Sequence, residues 1–345
     1  MSTATASAFV EERLDRYKAV TVATILSFLP QTEPRRHLYN LVPEYPLRPG
    51  KGLRPGLCIA TCRAFGGDLM DILASAAAIE LYHNAFLVHD DVEDASEHRR
   101  GYPTLNASHG VAIAVNVGDA LNVLSISPLM SNLERLGPHV TFEVFREIEH
   151  MVRQSVEGQA IELGWVHDNV LDLTPRDYLR MTLKKTCWYT CIHPCRIGAL
   201  VATRGDADLA TFDEFGYLMG AAFQIQDDIL NLVGDERYGK EIAGDIWEGK
   251  RTLMLMHLAG VLEPAGHERL REFLAAPRRR RAVGDVEWVL AEMHERGSIE
   301  FARDCARELA VGASERFEEC YGDLPDGEDK RLIEAIVRYM VDREL

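Results

Sequence analysis

The stretch H-N-A-F-L-V-H-D-D-V-E-D-A-S-E-H-R-R-G, from His83 to Gly101, ends an apolar segment in a cluster of carboxylates followed by two arginines. In the preceding segment, Ala74 to His89, apolar residues recur at steps of three and four, which is the period of an amphipathic helix. Residues four apart on a helix lie one turn, about 5.4 Å, from each other on the same face. Asp90 and Asp94 are therefore predicted to share a face at the end of an apolar helix.

Such a density of negative charge is costly unless cations neutralise it. Oxygen-only ligands suit Mg²⁺, which keeps several waters and bridges to substrate phosphates. Arg99 and Arg100 follow the cluster and could bind phosphate oxygens through their paired N–H groups. Carboxylates at a helix C-terminus also oppose the helix dipole. A purely structural, solvated helix end therefore explains the pattern less well than a magnesium and diphosphate site.

The same pattern occurs a second time, in F-Q-I-Q-D-D-I-L-N-L-V-G-D (Phe223 to Asp235). An apolar helix again meets a pair of aspartates, Asp227 and Asp228, and Asn231 stands where the first cluster has its last aspartate. A lysine-bearing segment, G-K-E-I-A-G-D-I-W-E-G-K (Gly239 to Lys250), follows. Two such helices predict a deep apolar pit between two facing metal-binding rims, a site suited to a lipid diphosphate.

The remainder of the chain favours a single all-α domain. Its 345 residues are 47% hydrophobic and 27% charged, which is typical of a soluble globular protein. The helical period recurs almost throughout and predicts about ten or eleven helices, with no hairpin signal and no repeat. Residues 1–15 are small and polar and are predicted to be disordered, and residues 16–345 are predicted to form the domain.

Several function classes are disfavoured by composition. The net charge of -16 argues against a nucleic-acid partner, because phosphate backbones are bound by basic surfaces. The odd number of cysteines, seven, and the lack of a secretory signal favour reduced thiols and a cytoplasmic location. We see no apolar run of the roughly 18 residues that a membrane span needs, so no transmembrane segment is predicted.

Taken in order, the motifs resemble those of the trans-type isoprenyl diphosphate synthases, over roughly residues 40–325. The sequence G-K-G-L-R-P (Gly50 to Pro55) resembles the diphosphate loop of that family, and the stretch from His83 to Gly101 resembles its first aspartate motif. Lys185 and Thr186 resemble the mid-chain Lys-Thr pair. F-Q-I-Q-D-D with the later G-K and E-G-K resembles the second aspartate motif. The resemblance implies an isoprenoid synthase fold, a bundle of about ten core helices around a deep cavity, and a homodimer.

The resemblance also implies a role for each matching residue. Asp90 and Asp94 would bind two Mg²⁺ ions and Asp227 a third, with Asp91 and Asp228 in support. The allylic diphosphate would be held by Arg99, Lys185, Thr186, Gln224, Lys240 and Lys250. The diphosphate of isopentenyl diphosphate would be held by Lys51, Arg54, His83 and Arg100. The implied activity is condensation of the two substrates, and the expected catalytic residues are Asp90, Asp94, Asp227, Lys185 and Arg99.

The chain departs from the family pattern in three places. Gly52 replaces a second basic residue that the diphosphate loop commonly carries, which should weaken the binding of isopentenyl diphosphate. Asn231 replaces a frequent third aspartate but could still bind a cation through its carbonyl oxygen or through water. Trp188 and Tyr189 replace smaller residues and could narrow the cavity, and Pro194 should kink their helix.

Product length is predicted from the aromatic residues beneath the first aspartate motif. Phe86 lies one helical turn deeper than Asp90, and Tyr82 lies two turns deeper. A floor at Phe86 would stop the product near farnesyl diphosphate, whereas passage over the small Ala85 to a floor at Tyr82 would give geranylgeranyl diphosphate. We expect geranylgeranyl diphosphate, with farnesyl diphosphate as the next choice.

Two alternatives stay open on the sequence. Gly52 and the Trp188–Tyr189 pair would suit a terpene cyclase or an unusual prenyltransferase on the same scaffold. The segment C-I-A-T-C (Cys58 to Cys62) would suit a non-catalytic regulatory subunit of a heteromeric synthase. The first alternative is opposed by the retained ligands for isopentenyl diphosphate, and the second by the two aspartate motifs.

Overall fold

The computed structural model describes residues 3–233 and 243–339. Within these ranges the fold is all-α, as predicted, and ten helices have twelve or more residues. The α-helices are α1 Thr3–Phe28, α2 Glu44–Leu47, α3 Leu53–Ala64, α4 Leu69–Glu93, α5 Leu105–His109, α6 Val111–Leu124, α7 Ile126–His167, α8 Pro175–Thr182, α9 His193–Ala202, α10 Thr211–Val233, α11 Gly244–Glu248, α12 Leu253–Val261, α13 Pro264–Ala275, α14 Val283–Glu295, α15 Ser298–Tyr321 and α16 Glu328–Tyr339. Two π-helical segments, Arg35–Tyr39 and Leu183–Ile192, a 3₁₀ turn at Arg278–Arg280, and strands β1 His98–Arg99 and β2 Tyr102–Pro103 complete the described elements.

The N-terminal segment is helical where disorder was predicted over residues 1–15. Helix α1 begins at Thr3, and Val10 and Leu14 are buried in the main hydrophobic core. Arg13 pairs with two carboxylates of α16, which ties the two ends of the described chain together. The small, polar composition of these residues indicates disorder, whereas the apolar residues spaced four apart place Val10 and Leu14 on the buried face of a helix.

The two aspartate motifs end the central helices α4 and α10. Asp68 caps the start of helix α4, where its side chain accepts a hydrogen bond from the backbone N–H of Met70. Helix α4 packs against α3, α6 and α7. Helix α10 packs against α15 and the π-helical segment Leu183–Ile192. The apolar residues of α4 and α10 lie in the core, so each helix carries its carboxylates from a buried stretch to the rim of a cavity.

The helix that carries the Lys-Thr pair changes type along its length. It runs as α8, then as the π-helical segment Leu183–Ile192, and then as α9, with Pro194 in the first turn of α9. A proline has no backbone N–H and cannot complete the hydrogen bonds of a regular helix interior. The helix changes from π to α directly before Pro194, and a kink at Pro194 stays a prediction.

A two-stranded hairpin follows the first aspartate motif, where no hairpin was predicted. His98 pairs with Pro103 and Arg99 with Tyr102. Arg100 (φ 56°) and Gly101 (φ 79°) form the turn in the left-handed region, which is the backbone geometry of the tight hairpin turn. With strands of two residues, there is too little sequence for an alternating pattern to develop.

One stretch meets the length and composition criterion for a membrane span, contrary to prediction. It is Val111–His167, with a window of mean hydropathy 1.4, only 33% of which is buried. Gly137 breaks the helix within it, and α6 packs on α4. Six of its exposed apolar side chains lie between residues 111 and 133, and we call them the α6–α7 face: Val111, Val115, Val123, Ile126, Met130 and Leu133.

Gly158 allows α7 to approach the π-helical segment closely. A Cβ atom at Gly158 would lie 2.2 Å from the backbone nitrogen of Lys185, and a backbone atom cannot move aside as a flexible side chain can. We expect Gly158→Ala to lower the free energy of unfolding by about 1–3 kcal/mol through overpacking. Urea denaturation followed by circular dichroism measures this change.

Gly164 provides the matched control on the same helix, because a Cβ there would meet nothing within 4 Å. Gly164→Ala should raise the free energy of unfolding by about 0.5–1 kcal/mol, since alanine is the better helix former. Equal effects of the two substitutions would contradict the close approach at Gly158.

Candidate active site

A cavity of about 1220 Å³ lies between the two aspartate-bearing helices. Both Asp90 of α4 and Asp227 of α10 line it, so the two acidic rims face a shared hollow. The predicted site residues that line this cavity are Lys51, Arg54, His83, Phe86, Asp90, Arg99, Arg100, Lys185, Thr186, Gln224, Asp227, Asp228 and Lys250. Tyr82, Asp91, Asp94 and Asn231 lie outside its lining. Lys240 lies outside the described residues.

Asp91 anchors the arginine of the first motif. Its carboxylate is fully buried and accepts a hydrogen bond of 2.7 Å from Arg99 Nε and one of 2.5 Å from the Tyr45 hydroxyl. Arg99 Nη2 also lies 3.2 Å from Asp90 Oδ2. Burial works against the charge of Arg99, but Asp91 outweighs it and raises the pKa of Arg99. Arg99 is therefore a permanently charged group held at the rim.

Asp94 is paired with a lysine in this structure. Lys250 Nζ lies 2.6 Å from Asp94 Oδ2 and 2.8 Å from Glu248 Oε2, so it links α4 to α11. Burial raises the pKa of Asp94, and Lys250 opposes that shift. The first motif thus presents Asp90 to the cavity while Asp94 neutralises a lysine that itself lines the cavity.

A chain of hydrogen bonds supports the second motif. Thr186 Oγ1 donates to Gln224 Oε1 at 2.9 Å, and Gln224 Nε2 donates to Asp228 Oδ1 at 2.7 Å. The Tyr178 hydroxyl donates to Asp228 Oδ2 at 2.8 Å. Burial raises the pKa of Asp228, and the hydrogen bonds from Gln224 and Tyr178 oppose the rise. Asp228 is thereby fixed beside Asp227.

The metal-ligand role expected of Asn231 stays a prediction, and in this structure the residue contacts backbone donors. Its side-chain oxygen accepts a hydrogen bond of 3.0 Å from the backbone N–H of Asp245, and its backbone oxygen accepts one of 2.8 Å from the N–H of Ala243. The side chain is buried, with 4% exposed. These two hydrogen bonds tie Asn231 to the start of α11, and Asn231 lies outside the cavity lining.

Two polar residues of α7 join the site and were not predicted. Glu162 forms an ion pair with Lys185, whose Nζ also lies 3.6 Å from Asp90 Oδ1. Burial lowers the pKa of a lysine, but Glu162 and Asp90 outweigh that effect and raise the pKa of Lys185. Gln159 donates to Glu93 at 2.5 Å and lies 3.5 Å from Asp90. The sequence signal that could have identified these two residues is their helical spacing, because Gln159 and Glu162 lie three residues apart directly after Gly158.

On the opposite side of the cavity, Tyr189 holds Arg54. Arg54 Nη2 donates to the Tyr189 hydroxyl at 2.7 Å and to Thr190 Oγ1 at 2.8 Å, and its guanidinium carbon lies 4.2 Å from the centre of the Tyr189 ring. Arg54 Nη1 lies 3.3 Å from His83 Nε2. Tyr189, one of the departures from the family pattern, therefore holds Arg54, which is a predicted diphosphate ligand, in place.

His83 is held neutral beside Arg54. Burial, reinforced by the Arg54 guanidinium, lowers the pKa of His83 well below its ordinary value. Within the described chain, His83 Nδ1 and Arg54 Nε are buried and have no hydrogen-bond partner. Buried polar atoms are normally paired, so these two atoms indicate a ligand that supplies acceptors.

The aromatic residues divide between the cavity and the core. Phe86 lines the cavity and packs edge-on against Tyr189, with ring centres 5.7 Å apart. Tyr82 packs against the main core instead of the cavity. Trp188 also points away from the cavity lining, with its ring centre 4.6 Å from that of His150. Of the two aromatic departures, Tyr189 shapes the cavity and Trp188 does not.

The profile of the polyprenyl synthetase family matches residues 35–293. A short chain isoprenyl diphosphate synthase from Methanothermobacter thermautotrophicus is 31% identical over 322 residues, covering 90% of this chain and 94% of the relative. Other similar proteins are named geranylgeranyl and geranylfarnesyl diphosphate synthase.

Solved structures share the fold over the full length. A geranylgeranyl pyrophosphate synthetase from Pyrococcus horikoshii superposes with a TM-score of 0.83 at 28% identity, covering 100% of both chains. A polyprenyl synthase from Caulobacter crescentus, complexed with calcium and isoprenyl diphosphate, superposes with a TM-score of 0.86 at 24% identity, covering 98% of both chains.

Fold and site together define an all-α enzyme built around a large cavity between two aspartate-bearing helices. The chain belongs to the polyprenyl synthetase family, the trans-type isoprenyl diphosphate synthases, and is a prenyltransferase of the short-chain kind. Neither the family nor these relatives favour the alternatives of a terpene cyclase or a non-catalytic subunit.

Proposed function

We propose that this enzyme condenses isopentenyl diphosphate with an allylic diphosphate and that its main product is geranylgeranyl diphosphate. The observation that carries this proposal is that Asp90 and Asp227, each at the end of an apolar helix, line one large cavity. An acidic rim can hold divalent cations around a diphosphate, while the apolar interior accepts the growing prenyl chain.

The donor set fits Mg²⁺. Within the described residues no group of three or more acidic, histidine or cysteine side chains is close enough to hold a metal ion by itself. Mg²⁺ is usually bound by one or two carboxylates, with substrate phosphates and waters completing its coordination. We propose that Asp90 and Asp94 bind two ions and Asp227 a third. Bound Mg²⁺ neutralises charge on the diphosphate and so favours cleavage of the allylic C–O bond.

The protein's own cations act on the same leaving group. Arg99 is buried and Lys185 is partly buried, and both are charged and directed at Asp90, so a diphosphate at the rim meets donors that need no rearrangement. We propose that Thr186, Gln224 and Lys250 complete the allylic diphosphate site, together with Lys240.

The second substrate would bind beside Arg54 and His83. We propose that these residues, with Lys51 and Arg100, hold the diphosphate of isopentenyl diphosphate and place its double bond next to the allylic carbon. The allylic C–O bond breaks, the double bond supplies the electrons of the new C–C bond, and a proton leaves to the released diphosphate. The aromatic walls exclude water and can stabilise the carbocation through their ring faces.

The enzyme is proposed to act as a homodimer through the α6–α7 face. Val123 is 64% exposed, Met130 50% and Ile126 46%, and these residues recur at helical spacing across the junction of α6 and α7. An apolar surface of this kind marks an interaction site. A second copy of the same chain is the partner that the resemblance to the family implies.

A cytoplasmic location is also proposed. All seven cysteines are unpaired, and six of them are buried. Free thiols in this number are typical of proteins kept in a reducing compartment.

We expect Asp90→Asn to lower kcat by more than about 100-fold, because a preorganised charge at the leaving group is lost. Product chromatography after incubation with isopentenyl diphosphate and each allylic primer measures the activity. Asp326→Asn, at a side chain that is 97% exposed, should retain full activity. Removal of divalent ions with EDTA should abolish turnover, and added Mg²⁺ should restore it. A wild-type enzyme that consumes the allylic substrate alone and releases a hydrocarbon or alcohol would contradict the proposal.

Phe86→Ala is expected to lengthen the product by at least one isoprene unit, because Phe86 lines the cavity one turn below Asp90. Phe142→Ala is the matched control, since Phe142 is 62% exposed, and should leave the product unchanged. An unchanged product from Phe86→Ala would reject Phe86 as the floor of the cavity.

The oligomer can be tested with Val123→Asp, which should halve the molar mass measured by light scattering because a charge would be buried in the apolar contact. Val311→Asp changes a residue of similar exposure, 61%, on α15 and should leave the mass unchanged. A wild-type enzyme that is monomeric, or that floats with liposomes in a density gradient, would contradict the dimer.

A further inference from the structure

Gly52 leaves the diphosphate loop without the second cation that the family commonly carries there. Gly52 adopts φ 59° in the left-handed region, as the residue before α3. A Cβ atom at this position would lie 2.7 Å from the Cβ of Lys18 and 3.2 Å from its Cγ. The space next to the loop is therefore filled by a lysine from α1.

Lys18 belongs to the lining of the active-site cavity. Its Nζ donates a hydrogen bond of 2.9 Å to the backbone oxygen of Arg48, which holds it against the loop. An ammonium group has three donors, and within residues 3–233 and 243–339 Lys18 makes no second hydrogen bond. The remaining donors can serve a ligand in the cavity.

Charged residues of both signs surround Lys18 in the cavity lining. Glu80 is buried, with 5% exposed, and its charge interacts with Arg100, Arg54 and Lys18. The Arg100 guanidinium lies over Gly50, since a Cβ there would be 2.7 Å from its Nη1. Lys51, Glu11 and Asp15 line the same part of the cavity, and the two acids on α1 are exposed. Burial and Arg100 lower the pKa of Lys18, whereas Glu80 and Asp15 oppose this, so an incoming anion would relieve the repulsion.

We propose that Lys18 of α1 supplies the cation that position 52 lacks and binds the diphosphate of isopentenyl diphosphate. This inference rests on the proposed function, because it assigns a further ligand to the same substrate. It assigns the role to a residue on the first helix, outside every motif that the sequence singled out.

Lys18→Met tests the inference, since methionine keeps the length of the side chain and removes its charge. We expect the KM for isopentenyl diphosphate to rise about tenfold or more, as for the loss of a charge-assisted hydrogen bond. The KM for the allylic substrate and kcat should stay within about twofold of wild type. Lys18→Arg should recover most of the loss. Arg16→Met removes an exposed charge from the same helix and should change neither KM.

A purely structural role, in which Lys18 only steadies the loop through Arg48, predicts a different result. Both KM values, kcat and the thermal midpoint would then change together. Inorganic pyrophosphate provides a direct probe: its inhibition constant against isopentenyl diphosphate should rise in parallel with the KM in Lys18→Met. An unchanged KM for isopentenyl diphosphate, or an equal rise for both substrates, would overturn the inference.

The test also separates this inference from the proposed function. If the wild-type enzyme fails to condense the two substrates, the proposed function fails. Titration calorimetry with pyrophosphate then still asks whether Lys18 binds a diphosphate, because weaker binding by Lys18→Met than by Arg16→Met is expected in that case too. Equal binding by the two variants would reject Lys18 as a ligand.

Discussion

The structure depends on keeping a concentration of carboxylates stable beside an apolar cavity. Unpaired buried charge is strongly destabilising, and three carboxylates of the site, those of Asp91, Asp94 and Asp228, each have a defined partner. Asp91 accepts from Arg99 and Tyr45, Asp94 pairs with Lys250, and Asp228 accepts from Tyr178. Asp90, Asp227 and Asp228 line the cavity, and the hydrogen bonds and ion pairs of Asp91, Asp94 and Asp228 fix the positions of the charged groups around it.

Helix proximity makes these pairings possible. Lys185 reaches both Glu162 and Asp90 because α7 approaches the π-helical segment at Gly158 with room for no side chain. Protein interiors are packed as densely as organic crystals. A methyl group added at Gly158 would therefore shift the backbone of the facing helix, and the charged side chains on that helix would move with it. At this site, a change in helix packing therefore also changes the distances between the charged groups.

Two departures from the family pattern, at Tyr189 and at Gly52, are each explained by a close contact with a residue of another helix. Tyr189 supplies both a hydroxyl and a ring face to Arg54, so a bulkier residue on one helix fixes a cation on another. Gly52 faces Lys18 at a distance that excludes any side chain at position 52. In each case the substitution and its partner are far apart in sequence and adjacent in space.

The sequence by itself determined the all-α class, the two acidic helix ends and the family, because helical periodicity and motif spacing are local properties of the chain. It could not decide that Asp90 lines the cavity while Asp91 does not, that Asn231 binds backbone, that Tyr82 packs into the core, or that α1 begins at Thr3. The sequence also did not identify Glu162, Gln159 and Lys18 as site residues. Their positions are set by contacts between helices distant in the chain, and only the tertiary structure brings those helices together.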